Sequence, residues 1–179
     1  VIPRLCYTEG YRPDGNCRAC VVEIDGERTL APSCCRAPTA GMKVKATSER
    51  AVKSQKMVVE MLLSDMPEKG YKWNDDAGTQ QHGELSDWAA RLGISVRPAL
   101  KALTRHQPAA DLSHPAMAVN LDACIQCNRC VRACREAQVN DVIGYAFRGS
   151  HSAIVFDLAD GMGDSTCVAC GECVQACPT

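Results

Sequence analysis

Cys124-Ile-Gln-Cys127-Asn-Arg-Cys130-Val-Arg-Ala-Cys134 is followed one period of 43 residues later (Cys124 to Cys167) by Cys167-Val-Ala-Cys170-Gly-Glu-Cys173-Val-Gln-Ala-Cys177-Pro178. Both runs are C-x2-C-x2-C-x3-C, and the second carries the proline that belongs to that spacing. Three thiols at two-residue gaps sit on one loop and can wrap three corners of an iron–sulfur cubane. The fourth, expected to start a helix, points away to the other cluster of a two-cluster module. The spacing therefore predicts crossed ligand sets. Cys124, Cys127, Cys130 and Cys177 would hold one [4Fe–4S] cluster, and Cys167, Cys170, Cys173 and Cys134 the other. A structural zinc site asks for two CxxC pairs and has no use for a third closely spaced thiol, repeated twice.

Working outward, Asp141–Arg148 and Ser152–Phe156 read as short strands around a turn at Arg148-Gly-Ser-His151, which joins the two cysteine loops into a small α+β module. Gly171 lies inside the second loop, where a missing side chain would let backbone N–H groups approach sulfur; Asn128 takes the equivalent place in the first.

A third group of cysteines lies upstream as Cys6-x10-Cys17-x2-Cys20-x13-Cys34. A long loop, a tight CxxC at its end and one thiol returned by a sheet is the logic of a [2Fe–2S] site, although the plant-type first gap is shorter, C-x4-C-x2-C. Cys20–Ile24, the turn Asp25-Gly26 and Glu27–Ala31 read as the hairpin that carries the chain back to Cys34. Four cysteines with a single CxxC leave zinc open at this site on spacing alone. Cys35 adjoins a ligand, so its side chain should point elsewhere, as a small buried hydrophobe.

Composition agrees with metal sites as the organising element. The 179 residues hold 13 cysteines but only 2 Phe, 2 Trp and 4 Tyr, so aromatic packing alone offers little core. A disulfide scaffold spreads its cysteines, whereas these are grouped, and metal-bound thiolates imply a reducing compartment with cytoplasm as the default. With 20 basic against 21 acidic residues the net charge is −1, which argues against a nucleic-acid or polybasic membrane binder. No apolar run reaches a membrane span and no signal-peptide core is present. Three sites at about −2 each would lower the formal charge to roughly −7. No Ser-His-Asp arrangement, P-loop or G-x-G-x-x-G is present, so no catalytic residue is assigned.

The C-x10-C-x2-C-x13-C group, the long amphipathic helix after it and the double C-x2-C-x2-C-x3-C run together resemble an iron–sulfur arm. That arm is shared by the complex I large iron–sulfur subunit, diaphorase parts of NAD-reducing hydrogenases, iron-only hydrogenases and NAD-dependent formate dehydrogenase alpha subunits. The wording of Asn120–Ile143 and Ser165–Thr179 is most similar to the formate dehydrogenases. The resemblance implies an α+β chain. Residues 1–47 would be a partial plant-type (β-grasp) [2Fe–2S] ferredoxin domain on Cys6, Cys17, Cys20 and Cys34. Residues 48–118 would be a helical connector without cluster ligands, and residues 119–179 a bacterial-type ferredoxin domain with two [4Fe–4S] clusters.

It further implies an oxidoreductase in which electrons from a molybdenum or tungsten bis-pterin formate-oxidising site, outside these residues, run toward a flavin subunit that reduces NAD. The alternative is the small iron–sulfur diaphorase subunit of an NAD-reducing hydrogenase or complex I-type NADH dehydrogenase. Relatives usually end the helix in Leu-Leu-x-x-His-Pro, whose histidine binds an additional cluster. Here the helix from Ser48 ends in Leu62-Leu-Ser-Asp-Met66-Pro67, so Met66 stands in that place and the additional cluster is expected to be absent. His82, His106 and His114 carry no partner motif; His114-Pro115 reads as a turn, and Glu84–Leu92 as a helix closed by Gly93. Cys6 lies close to the first residue and the chain stops two residues after Cys177, which leads us to expect a segment of a larger subunit.

Overall fold

The computed structural model describes residues 1–67, 83–101 and 108–179. His82 and His106 lie outside the described residues. The first module is a three-stranded antiparallel sheet with β1 (Val21–Ile24) between β2 (Ala31–Pro32) and β3 (Val44–Lys45). Val21 pairs with Pro32 and Val22 with Ala31, which brings Cys34, in a 3-10 turn after β2, back beside Cys20. The expected return strand at Glu27–Ala31 is shorter than its sequence suggested. A turn in which Glu27 N–H bonds the Ile24 carbonyl leads into a loop, and pairing resumes only at Ala31. β3 was not anticipated, being two exposed residues without apolar alternation.

Helix α1 (Glu49–Ser64) starts at Ser48, whose Oγ accepts from the Ala51 N–H at 3.3 Å, with Glu49 in the first turn to complement the helix dipole. Ala51, Gln55, Val59 and Leu63, four residues apart, form its buried stripe. Gln55 donates to the carbonyls of Val21 at 2.8 Å and Ala46 at 3.2 Å, which satisfies a buried amide and fixes the helix on the sheet. α2 (Glu84–Leu92) packs on α1 through Leu85 and Ala89 and closes at Gly93, whose φ of 62° is the left-handed turn a glycine cap supplies. A short α3 (Pro98–Lys101) follows.

The second module comprises α4 (Arg129–Arg132), a π turn at Ala133–Ala137, the antiparallel pair β4 (Ile143–Ala146) and β5 (Ala153–Phe156), and α5 (Glu172–Ala176). One core joins the modules: Leu5 and Ala19 from the first meet Val59, Leu63 and Met66 of the α1 segment, Leu85 and Ala89 of α2, and Ala123 of the second. Met66, at the position where the resembling family places a histidine, is buried in that core. A second core, around Val131, Val142, Ile143, Ile154, Phe156 and Met162, is lined by the cysteines Cys124, Cys130, Cys167 and Cys173. No helix among the described residues is long and apolar enough to cross a membrane.

Candidate metal centres

The two cysteine runs repeat in backbone as well as in sequence. Two residues after the first cysteine of each, Gln126 (φ 54°) and Ala169 (φ 56°) turn left-handed, and each N–H points back at that cysteine's sulfur at 3.4 Å. Two residues further on, Asn128 (φ 66°) and Gly171 (φ 76°) are again left-handed and precede α4 and α5. Left-handed backbone costs a non-glycine residue about 1–2 kcal/mol, and Asn and Gly tolerate it best, which explains the residue types at the fourth position. A Cβ on Gly171 would meet no protein atom within 4 Å, so the visible need for glycine is conformational. The helices start before the third cysteine of each run, which corrects the expectation that the fourth cysteine begins a helix. Cys134 falls in the π turn that ends α4 and Cys177 is the residue closing α5.

That placement lets each fourth thiol leave its own loop. Cys124, Cys127, Cys130 and Cys177 line one cavity, together with Ile125, Asn128, Tyr145 and Ile154; it encloses about 280 Å3 including space open to solvent. Cys134, Cys167, Cys170 and Cys173 line a second of about 320 Å3, with Met117, Val142, Ile143 and Gly171. Each cavity thus takes three thiols from one run and one from the other. Burial pushes the Cys127 thiol up to about 12, and charge on Cys177 and Cys124 acts in the same direction. Burial also raises Cys130, and raises Cys173 to about 11, with Cys167 and Cys170 adding to the latter. Among the described residues no three His, Cys, Asp or Glu side chains make a group that could hold a single metal ion. The thiols surround volumes instead. Four soft thiols around a partly apolar cavity fit an iron–sulfur cluster, and buried neutral thiols must deprotonate to bind one.

In the first module the structure brings the predicted thiols together as two pairs. Cys6 and Cys17 are hydrogen-bonded neighbours, with the Cys6 N–H 3.4 Å from the Cys17 sulfur and the Ala19 N–H at 3.5 Å from the same atom. The Cys17 hydrogen bond, aided by backbone N–H groups, lowers Cys6 to about 5 while Cys17 rises. Burial and the adjacent Cys20 raise Cys34. Cys35 is exposed, not buried, with its sulfur 3.6 Å from that of Cys34; the single 3-10 turn holding both residues leaves no core for it to enter.

A polar seam between the modules escaped the sequence reading. The ten-residue loop between Cys6 and Cys17 is its main element: the Tyr11 hydroxyl donates to Glu172 at 2.6 Å, and the Arg12 N–H to Glu136 at 3.3 Å. Asn128 Nδ2 donates to Asp14 at 3.1 Å, and Asn16 Nδ2 to the Gln126 carbonyl at 2.5 Å. The extra length of this loop over the plant-type spacing is therefore a docking surface on the second module. From the other side, Arg129 donates to the Leu5 carbonyl at 3.1 Å and to Glu84 at 2.8 Å, and Arg132 to the Cys6 carbonyl. The Glu84 N–H in turn bonds the Pro178 carbonyl at 2.8 Å. The one local hint was two arginines a turn apart in an otherwise apolar cysteine helix. His114, whose Nδ1 accepts from the Ala116 N–H at 3.1 Å, makes a local turn as expected.

Comparison with known proteins now adds to this geometry. Residues 1–49 match the model of a 2Fe-2S iron-sulfur cluster binding domain, and residues 123–179 that of a 4Fe-4S dicluster domain. The chain is an iron–sulfur protein with both domains. Among curated relatives, the NADP-reducing hydrogenase subunit HndD of Solidesulfovibrio fructosivorans is 35% identical over 99% of this chain and 30% of its own length. An NADH-quinone oxidoreductase polypeptide of Rhizobium meliloti is 30% identical over 99% of this chain and 20% of its own length. A putative formate dehydrogenase of Staphylococcus haemolyticus is 26% identical over 99% of this chain and 17% of its own length. The crystal structure of an NAD+-reducing [NiFe]-hydrogenase in the H2-reduced state superposes with a TM-score of 0.81 at 26% identity, covering all of this chain and 73% of that one. Homologues of this iron–sulfur chain thus include hydrogenase, complex I and formate dehydrogenase subunits, as the sequence resemblance implied. The chain spans 30% or less of the length of these curated relatives.

Proposed function

We propose that the chain is the iron–sulfur relay of an NAD-dependent formate dehydrogenase. Its units would be residues 1–47 for a [2Fe–2S] cluster, 48–118 as connector and 119–179 for two [4Fe–4S] clusters. The ligands would be Cys6, Cys17, Cys20 and Cys34 for the first, with the crossed sets Cys124, Cys127, Cys130, Cys177 and Cys167, Cys170, Cys173, Cys134 for the others. The observation that carries this reading is the pair of cavities, each lined by three thiols of one run and one of the other. When bound, the clusters supply one-electron transfer in both directions. The chain's own residues hold sulfur through left-handed loops, aim the N–H groups of Gln126, Ala169 and Ala19 at thiolates, and shield the sites with Ile143, Ile154 and Met117. Hydrogen bonds to sulfur and burial are the levers that set reduction potential.

In this account a molybdenum or tungsten bis-pterin site lies outside these residues, the partner is a flavin subunit that reduces NAD, and the compartment is the cytoplasm. Buried Met66, in place of the histidine, supports a chain without the additional cluster. The second reading, a diaphorase subunit of a hydrogenase or complex I-type enzyme, is favoured by the 35% identity to the hydrogenase subunit. Formate added anaerobically to the native complex tests the choice. Reduction of the clusters by formate is the expected result; reduction by NADH or hydrogen but never by formate overturns the first reading in favour of the second. Encoded sequence beyond Thr179 gives an independent check, since a pterin-binding continuation belongs only to the first.

A further inference from the structure

The seam between the modules leaves one charge unbalanced. Arg132 is 2% exposed, and its guanidinium donates to three carbonyls: that of Cys6, that of Arg12 at 2.5 Å and that of Asn128 at 3.3 Å. Among the described residues no carboxylate lies within ion-pair distance of it. Arg129, one turn earlier and buried alike, differs in having Glu84 at 2.8 Å. Carbonyls satisfy the N–H groups of a guanidinium but do not cancel its charge, and a buried unpaired cation is strongly unfavourable. Something anionic must therefore face Arg132 in the working protein. Its bond to the Cys6 carbonyl places it beside the first thiol of the Cys6–Cys34 site, and a [2Fe–2S] core with four thiolates carries about −2.

We propose that Arg132 is a positioning residue of the [2Fe–2S] site, the buried counter-charge that the second module lends to the cluster of the first. Its three bonds pin the backbone at Cys6 and Arg12 to the Asn128 loop, so one side chain ties the [2Fe–2S] loop to the loop of the first [4Fe–4S] site. The inference rests on the reading that Cys6, Cys17, Cys20 and Cys34 hold a [2Fe–2S] cluster. Reduction adds one electron to an already anionic site. A cation fixed beside it stabilises the reduced form and raises the potential.

The test is an EPR-monitored redox titration of the cluster-loaded full-length subunit and its Arg132→Met and Arg132→Lys variants. Arg132→Met is expected to make reduction of the [2Fe–2S] cluster on the order of tenfold less favourable, a shift of about 59 mV downward for one electron. Arg132→Lys keeps the charge and should stay well inside that shift. An intact [2Fe–2S] signal at unchanged potential in Arg132→Met overturns the proposal, because a packing role alone would change cluster content without moving the potential. Should Arg132→Met lose the cluster, Arg132→Lys decides: retention near the native potential supports the counter-charge, and equal loss overturns it. A wild-type protein without any [2Fe–2S] signal removes the underlying reading, and the inference with it.

Discussion

Replacing Cys177 by Ser separates crossed from uncrossed ligation, because Cys177 belongs to the second run by sequence and to the first by position. It closes α5, yet lines the cavity of Cys124, Cys127 and Cys130 and adds to the rise of both Cys127 and Cys130. With the proposed ligand sets a fully loaded chain holds about ten irons, and loss of one [4Fe–4S] cluster leaves about six. Iron content alone does not say which cluster was lost, but magnetic interaction does. Tyr11 bonds Glu172 of the second run, but Asn16 and Asp14 bond Gln126 and Asn128 of the first, and Arg129 and Arg132 of that run reach the Leu5 and Cys6 carbonyls, so in the proposed arrangement the first [4Fe–4S] site is the nearer neighbour of the [2Fe–2S] site. Cys177→Ser should therefore fall to about six irons and lose the spin–spin broadening between the reduced [2Fe–2S] cluster and its neighbour, as Cys127→Ser does. Cys134→Ser should reach the same iron content with that broadening retained, as Cys170→Ser does. A Cys177→Ser spectrum matching Cys170→Ser, broadening intact, would falsify crossed ligation.

Three further outcomes follow from other parts of the molecule. Cys35→Ser should keep the [2Fe–2S] absorption and EPR spectra, whereas Cys34→Ser loses them; the converse would move the ligand by one residue. Leu85→Ala, in the core that joins the modules and 1% exposed, should cost about 2–5 kcal/mol in denaturant unfolding, and a loss under about 1 kcal/mol would mean that α2 does not hold the modules together. The cluster-free protein should lose stability in alkali. Cys127 and Cys173 are raised to about 12 and 11, so the folded state keeps protons that the unfolded chain releases near 9. Their contribution is complete below pH 9 and declines as pH rises through 11–12, which thermal melts across that range will read; a flat profile contradicts it.

Much of this was legible because it is written in short-range spacing. The period of 43 residues (Cys124 to Cys167) announces two equivalent loops. The Ser48 cap with its four-residue stripe announces α1, and Gly93 the end of α2. What escaped is long-range or conformational. Arg129 and Arg132 bond carbonyls more than 100 positions away, and a carbonyl leaves no trace in residue type. β3 is two exposed residues recruited by β1, invisible to any periodicity. The fourth cysteines were expected at helix starts. Left-handed Asn128 and Gly171 begin each helix earlier, so Cys134 and Cys177 fall at its end. Cys35 was expected inside on residue type alone, but its neighbour Cys34 is held at a surface turn and carries it outward. The ten-residue gap before Cys17 reads as a departure from plant-type spacing until its loop is seen docked on the second module.

The most direct test of the account is metal analysis joined to low-temperature EPR of the reduced, anaerobically purified protein. One [2Fe–2S] and two [4Fe–4S] signals with about ten irons per chain are predicted. Stoichiometric zinc in place of iron, or a third [4Fe–4S] signal from this chain, would contradict it.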